Sequence, residues 1–544
     1  MKRILLTLTL CIGALWAGAQ NGYYYQPAQG WCGDPMPFYD DVSGEFAVYY
    51  LQEYRPNDWA TYHPVHRITT HDFVNYGESG EVLPTGDRWA QDAAIGTGSV
   101  IKAQNGTYYF YYTGNKYQPS DSECRQVIMC ATSSDGINWT KTSFRLAPDT
   151  WYYYHDDFRD PEVFRTEDGV YHMLVATGKD GRNVLAHFTS SDCYDWTHQG
   201  VFMTTLWDRF YECPNVFKMG NWWYLVYSEL HREIRRVQYF KASTFAGLAA
   251  CTANDTPLWP DGHEGYLDSR GFYAGKTASD GSNRYIWGWC PTRRNNDNTA
   301  VNNDNGEPDW AGTLVAHRLV QHADGSLSLG EIETVRNWFN TDVPLSYTAF
   351  TLAAGGTRTF PALAEKTHLS FTVTASSAQT KFGVSLAQES TTGKYYSLIV
   401  NPEENNRAKL NFEQEGPGGM GFIPYIDGYF FDQPSDRVYN IDIYIDRSVV
   451  VVYINDNVCY TNRIYGVPAQ PWTFRCYSGS VQVSAVRQQI YDPDKTTDPD
   501  PDPTQDLTSS VPETHAAGKY LRNGILVIRR DGAEYTQLGQ RIVR

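Results

Sequence analysis

The chain has 544 residues, too many for one compact hydrophobic core, so two or more domains are expected. A formal net charge of −17 argues against nucleic acid and against anionic membrane surfaces as partners. Aromatic residues make up 15%, including 16 Trp and 40 Tyr, which suits a β-rich protein and the stacking of rings on sugars, although most such side chains simply pack in cores.

Residues 1–19 read as an export signal. Lys2 and Arg3 precede the apolar run 4–16, and Ala17-Gly18-Ala19 supplies small residues before Gln20. The run is too short for a permanent membrane anchor, and no later stretch reads as transmembrane. The expected location is the cell surface or the medium, otherwise the periplasm. Cys11 lies inside the apolar run, not after it, which disfavours a lipoprotein. Removing the signal leaves nine cysteines, so at least one has no partner within the chain. Cys124 with Cys130 and Cys459 with Cys476 are open pairings. His63-Pro64-Val65-His66 brings two candidate metal ligands together, but its proline bars a helical His-x-x-x-His geometry. No metal and no cofactor is expected.

From residue 20 to 338 one element recurs. Asp72-Phe73-Val74-Asn75-Tyr76, Asp135-Gly136-Ile137-Asn138-Trp139 and Asp192-Cys193-Tyr194-Asp195-Trp196 each place Tyr or Trp four residues after Asp, and Lys241–Phe245 reads as a degraded fourth copy. Strand-like segments rich in aromatic and β-branched residues lie between the copies: 46–51, 107–113, 170–176, 222–227 and 236–242. An all-β repeat of about 60 residues predicts four-stranded propeller blades, about five of them, with an irregular β-sandwich as the alternative. Residues 339–490 lack the repeat and alternate apolar with polar residues in strand candidates 369–373, 395–400, 438–445, 449–455 and 481–486. They predict a β-sandwich. Residues 491–510 form an acidic, Pro-rich linker that cannot bury a core. Residues 511–544 form a small tail with two strand-like segments around Arg530-Asp531-Gly532.

Three acids sit beside prolines: Asp34 in Trp31-Cys32-Gly33-Asp34-Pro35, Asp160 in Phe158-Arg159-Asp160-Pro161, and Glu212 in Glu212-Cys213-Pro214. Proline fixes its own φ and holds the preceding residue extended, so such an acid is aimed in one direction. Acids from several blades can converge in a propeller's axial pocket, and the separations of 126 and 52 residues suit alternate and successive blades. Paired carboxylates in different environments can hydrolyse a glycosidic bond, one protonating the leaving oxygen while another attacks or activates water. Asp34 beside small Gly33 suits an ionised nucleophile. Arg159 next to Asp160 suggests an ionised Asp160, and Glu212 in an aromatic setting suits a general acid. Each acid alone is equally compatible with a turn-capping role.

Together these segments resemble glycoside hydrolase family 32, the β-fructosidases. Arg159-Asp160-Pro161 and Glu212-Cys213-Pro214 match two parts of its signature, and Trp31–Pro37 resembles the third, Trp-x-Asn-Asp-Pro-Asn-Gly. Tyr112-Thr113-Gly114-Asn115, Phe272-Tyr273-Ala274, Trp310–Leu314, Asp446–Val449 and Thr461–Tyr465 extend the resemblance across roughly residues 30–488. It implies a five-bladed β-propeller followed by a β-sandwich, and a retaining hydrolase of fructans or fructo-oligosaccharides. Asp34 would be the nucleophile, Glu212 the acid/base, and Asp160 the group gripping fructose hydroxyls. Substrate contacts would fall to Trp31, Trp59, Ser99, Arg159, Cys213, Tyr273 and Trp310. Gly33 and Met36-Pro37 replace the motif's first Asn and its Asn-Gly, and Val451 stands where the sandwich pattern has Glu. An inverting arabinosidase or xylosidase of the family 43 type and a non-catalytic fructan-binding protein are the alternatives. The tail, Gly518–Gly524 through Tyr535–Gln540, resembles C-terminal sorting tails of Bacteroidetes secretion substrates, which implies outer-membrane secretion machinery as a partner.

Overall fold

The computed structural model describes residues 22–55, 62–148, 152–205, 210–231, 234–251, 267–294, 301–417, 421–422 and 429–495, with three strands between 518 and 536. The expected signal (1–19), Trp59, linker residues 496–510 and the rest of the tail lie outside the described residues. Among the described residues, no helix is long and apolar enough to cross a membrane.

The chain is almost wholly β. Blade I is the antiparallel meander Trp31–Asp40, Glu45–Glu53, Val65–Thr70 and Gly77–Leu83. Blade II is Ala94–Lys102, Tyr108–Asn115, Gln126–Ser133 and Thr140–Leu146; blade III is Phe158–Arg165, Tyr171–Lys179, Arg182–Ser190 and Thr197–Thr204. Blade IV is described through Phe210–Met219, Trp222–His231 and Ile234–Ala242, and blade V through Tyr273–Ser279, Arg284–Arg293, Pro308–Gln321 and Leu327–Gly330. The first strands of consecutive blades touch one another in ring order, and that of blade V touches that of blade I. They therefore surround one axis as a five-bladed propeller. A bridge between Cys32 and Gly312 joins blades I and V.

The recurring Asp element is the turn between the third and fourth strands of blades I to III. In each, one carboxylate oxygen accepts two backbone N–H groups: Asp72 from Val74 and Asn75, Asp135 from Ile137 and Asn138, Asp192 from Tyr194 and Asp195. The Asx turn thus holds an otherwise open loop. A tyrosine of the preceding blade then ties the turn down, Tyr49 to Gly136 O at 2.5 Å and Tyr111 to Cys193 O at 2.6 Å. The expected fourth copy is absent. Residue 241 is Lys, so no carboxylate can form the turn, and Thr244 instead caps a helical turn, Phe245–Leu248.

The second domain is a sandwich of two antiparallel sheets. One runs in the order 341–342, 480–490, 366–375, 438–446, 449–454 and 458–463; the other runs 357–362, 471–478, 381–386, 395–402, 407–415 and 421–422. Phe371, Phe382, Leu398, Ile443, Trp472 and Phe474 fill the space between them. A separate unit from residue 493 onward contains a three-stranded sheet, Gly518–Arg522, Ile525–Arg530 and Ala533–Thr536.

Propeller and sandwich share one continuous apolar cluster in which Tyr23, Phe46, Trp287 and Leu314 meet Tyr444, Val449, Val451, Tyr453 and Cys459. Arg463 of the sandwich, 1% exposed, donates to the carbonyls of Cys290 and Pro291 and to the hydroxyls of Thr313 and Ser448. Cys130, Cys459 and Cys476 are unbridged, so neither open disulfide forms. Cys124 packs with Val127 and Ala147 while Cys130 belongs to the core shared by blades II and III. Cys459 faces the propeller and Cys476 the sandwich interior. Cys124 precedes the strand that carries Cys130, and Cys459 and Cys476 lie in different sheets of the sandwich.

The apolar surroundings of Val451, 0% exposed, explain why a carboxylate is missing there. Val451→Glu would bury a charge without a partner and is expected to cost on the order of 3 kcal/mol or more. Urea denaturation followed by tryptophan fluorescence checks this, and an unchanged midpoint would contradict the interface described.

Candidate active site

Each inner strand is interrupted by a bulge near its start. Pairing with the second strand skips Gly33 and Asp34 in blade I, Thr97 in blade II, Asp160 and Pro161 in blade III, Cys213 and Pro214 in blade IV, and Ala274 and Gly275 in blade V. A bulge releases residues from the ladder and re-aims them, and it accommodates a proline that lacks an N–H. Asp160, Cys213 and Ala274 take positive φ of 58°, 50° and 56° there. The acid–proline motifs of the sequence are therefore parts of these bulges, and Asp160, expected to be extended before Pro161, is left-handed instead because the bulge sets its backbone.

The bulges bring the three acids together around Cys213. Its backbone N–H donates to Asp160 Oδ2 at 2.9 Å, its thiol lies 3.9 Å from Asp34 Oδ2, and it follows Glu212 in the chain. Asp34 is held from two sides: Trp289 Nε1 donates to Oδ1 at 2.9 Å and Thr97 Oγ1 to Oδ2 at 2.5 Å. Burial raises the Asp34 carboxyl above its ordinary range against the pull of these two hydrogen bonds. Asp160, 3% exposed, is pushed up to about 6 by burial, with Arg159 opposing and Glu212 and Asp34 reinforcing the rise. Burial and the surrounding acids also push the Cys213 thiol well up, so it stays neutral.

Glu212 receives two donors, Arg159 Nη2 at 2.9 Å and the Tyr273 hydroxyl. Burial, reinforced by Glu212, raises Tyr273 well above 10 and keeps that phenol a donor. Arg159 also pairs with Asp157 and lies over the Phe210 ring at 4.0 Å. Its guanidinium thus serves Glu212, and Asp160 is not the buttressed, readily ionised acid that adjacency to Arg159 suggested. Neighbours in sequence point apart along a strand, and the bulge at Asp160–Pro161 sets which of them faces the axis.

The remaining residues divide. Tyr273 and Cys213 touch the acids directly. Trp310 packs beside Cys213, Tyr273 and Trp289. Trp31 is capped by the Arg55 guanidinium at 5.3 Å, and Arg55 also donates to the Trp310 carbonyl. Ser99 is engaged between two blades. Its hydroxyl donates to Pro161 O and accepts from Val163 N, both at 2.9 Å, which stitches blade II to blade III. Ser99 faces a separate axial cavity of about 280 Å³ toward the C-terminal ends of the inner strands. There Lys276 pairs with Glu162 at 3.1 Å and donates to Gly98 O at 2.7 Å, while Asn215 donates to Glu162 at 2.8 Å. Thr97, Thr113 and Trp289 were not singled out as site residues from the sequence; Thr113 Oγ1 accepts the Asp160 N–H at 2.9 Å. The glycines flanking Thr97 are the one local signal for a bulge there.

The profile "Glycosyl hydrolases family 32 N-terminal domain" matches residues 24–329, and "GH32, BT1760-like, C-terminal domain" matches residues 329–488. The chain belongs to glycosyl hydrolase family 32. Among similar proteins, "Sucrose-6-phosphate hydrolase" of Escherichia coli is 24% identical over 476 residues, covering 82% of this chain and 90% of that one. "Raffinose invertase" of Escherichia coli is 25% identical, covering 81% and 89%. Fructan 1-exohydrolase IIa from Cichorium intybus shares the fold with a TM-score of 0.69 at 15% identity, covering 87% of this chain and 97% of that one. Sucrose-6-phosphate hydrolase from Lactobacillus gasseri gives 0.65 at 20% identity, covering 87% and 93%.

In this family 32 hydrolase the buried charge of Asp160 carries a stability cost. Its folded-state value near 6 exceeds the unfolded carboxyl's ~3.9. The native state therefore binds more protons between these values, and stability falls as pH rises through that window. Asp160→Asn keeps an acceptor for the Cys213 N–H and removes the charge. The variant is expected to be more stable than the parent at pH 7.5, by up to about 3 kcal/mol, with the difference largely gone at pH 4. Urea denaturation at both pH values checks this, and a pH-independent difference would contradict it.

Proposed function

We propose that this hydrolase cleaves β-fructofuranosidic bonds in fructans or fructo-oligosaccharides with retention of configuration. The observation that carries the reading is the meeting of Asp34, Asp160 and Glu212 at Cys213. Relatives named for hydrolysis of sucrose-6-phosphate, for raffinose and for fructan support the fructosyl part of it.

Asp34, held by Trp289 and Thr97, is the nucleophile that attacks the anomeric carbon. Glu212 gives its proton to the departing glycosidic oxygen, so the leaving group does not depart as an alkoxide. A covalent fructosyl-Asp34 results. Glu212, now a carboxylate, takes a proton from the water that attacks this intermediate, and Asp34 is released. Arg159 and Tyr273 hold Glu212 in one orientation through both steps. Asp160 accepts hydrogen bonds from ring hydroxyls and places negative charge near the developing oxocarbenium ion. We also propose export through residues 1–19, with release beyond the periplasm aided by the tail. The charge pattern of the N-terminus and the sorting-like C-terminal sequence support this.

Asp34→Ala and Glu212→Ala are each expected to lower fructose release on the order of 10³-fold or more, with circular dichroism unchanged. Chromatography of products from inulin, levan, sucrose and arabinan measures the release and tests the sugar recognised. NMR of the first-formed product is expected to show the retained anomer. Near-parental fructose release by either variant, or an inverted product, would refute the assignment.

A further inference from the structure

His63 takes no part in the proposed bond cleavage, yet it is 7% exposed and adopts a φ of 53°, a conformation that non-glycine residues take at a cost. Its Nε2 lies 2.7 Å from Oε2 of Glu53, which is 3% exposed. Two rings stack on its imidazole: Tyr62 at a centroid distance of 3.8 Å and Trp310 at 4.2 Å, both within 27° of parallel. A strained backbone, a buried carboxyl partner and a double stack together fix one ring in one place.

That placement acts on the nucleophile's neighbour. A Cβ built on Gly33 would lie 2.9 Å from both Cζ2 and Cζ3 of Trp310 and closer still to Cη2. Real side chains do not approach so closely, so the indole occupies the room that any side chain at 33 would need. At its other end Trp310 is anchored by Arg55, which donates to its carbonyl, and its ring packs edge-on to Trp289, the donor to Asp34. The polar side chain that the motif places before the nucleophile is thus exchanged for an aromatic wall reached from another blade.

We infer that His63, anchored on Glu53, is a positioning residue for Trp310, and that Trp310 replaces the side chain of residue 33 as the specificity-determining wall beside Asp34. On this side the bound fructosyl unit meets an indole and finds no amide. The inference rests on the fructoside reading above. It makes residues 33 and 310 alternatives to each other: either can supply the wall, and both together cannot fit.

Kinetics on one fructo-oligosaccharide test this in four variants of the full chain. Gly33→Asn is expected to lose at least 100-fold in kcat/KM. Gly33→Asn combined with Trp310→Ala is expected to recover at least tenfold over Gly33→Asn alone. Trp310→Ala and His63→Ala are each expected to lower kcat/KM mainly through a higher KM, since both remove uniform binding. A purely structural role for His63 would instead lower the melting temperature and kcat together. Parental kcat/KM in Gly33→Asn, or a double variant no better than Gly33→Asn, overturns the proposal. Should His63→Ala not fold, His63→Gln, which can keep the contact to Glu53 but loses the double stack, takes its place with the same expected rise in KM, and a parental KM in it overturns the role of His63. Fructose release by the parent is measured first. Its absence refutes the fructoside reading and this inference with it, whereas release without the coupling refutes the inference alone.

Discussion

A strand that pairs within a blade and also aims a carboxylate across the axis faces a geometric conflict. Pairing sends side chains alternately to the two faces of the blade, whereas the axis lies along its inner edge. The bulge at the start of every inner strand resolves the conflict. Two residues leave the ladder in four of the blades, one in blade II, and a side chain from the interrupted stretch or its border turns toward the centre. Proline suits the gap because no partner requires its N–H. The site depends on this interruption: Asp34, Thr97, Asp160 and Cys213 are bulge residues, and Glu212 and Tyr273 border one.

Concentrating acids in this way builds up negative charge in a weakly screened space. The protein answers with few cations and many oriented dipoles. Arg159 serves Glu212, while Asp34 is held by an indole N–H and a hydroxyl, and Asp160 by a backbone N–H. Burial, reinforced by Glu212 and Asp34, raises the Asp160 carboxyl to about 6. Farther along the axis the Lys276–Glu162 pair, with Asn215 and the carbonyl of Gly98, draws four of the five inner strands together. Spacing among the acids is thus supported by a second polar layer that itself carries no reacting group.

What could be read from the chain follows the range of the forces involved. Proline restricts its neighbour locally, so the three acid motifs were visible, and the Asx turns appeared as a repeat because each closes within four residues. The partners of the acids were not visible. Trp289 reaches Asp34 across 255 residues, and Arg159 reaches Glu212 across 53, in pairings created by closure of the ring. Ser99 illustrates the same limit: it lies on an inner strand, but its position beyond the bulge directs it to the inter-blade contact. The degraded repeat at 241–245 failed for a chemical reason, since without an Asp no carboxylate can receive the turn's N–H groups.

The aromatic half of the site belongs mainly to blade V, which supplies Tyr273, Trp289 and Trp310, and blade V is the blade most firmly bound by the sandwich. Asp268, fully buried just before its first strand, accepts from Thr461 N and Oγ1, and His317 on its third strand lies 3.2 Å from that carboxylate. Arg463 holds the carbonyls of Cys290 and Pro291, the two residues after Trp289, and Arg293 donates to Asn462. Gly271 lies so close to the Thr461 backbone that a Cβ would collide with it, two residues before Tyr273. None of the three converging acids comes from the sandwich, yet one of the two donors to each of Asp34 and Glu212, Trp289 and Tyr273, hangs from the blade it clamps. Displacement of a donor by even an ångström costs alignment that electrostatic catalysis depends on. The second domain therefore belongs to the catalytic architecture as the brace of blade V.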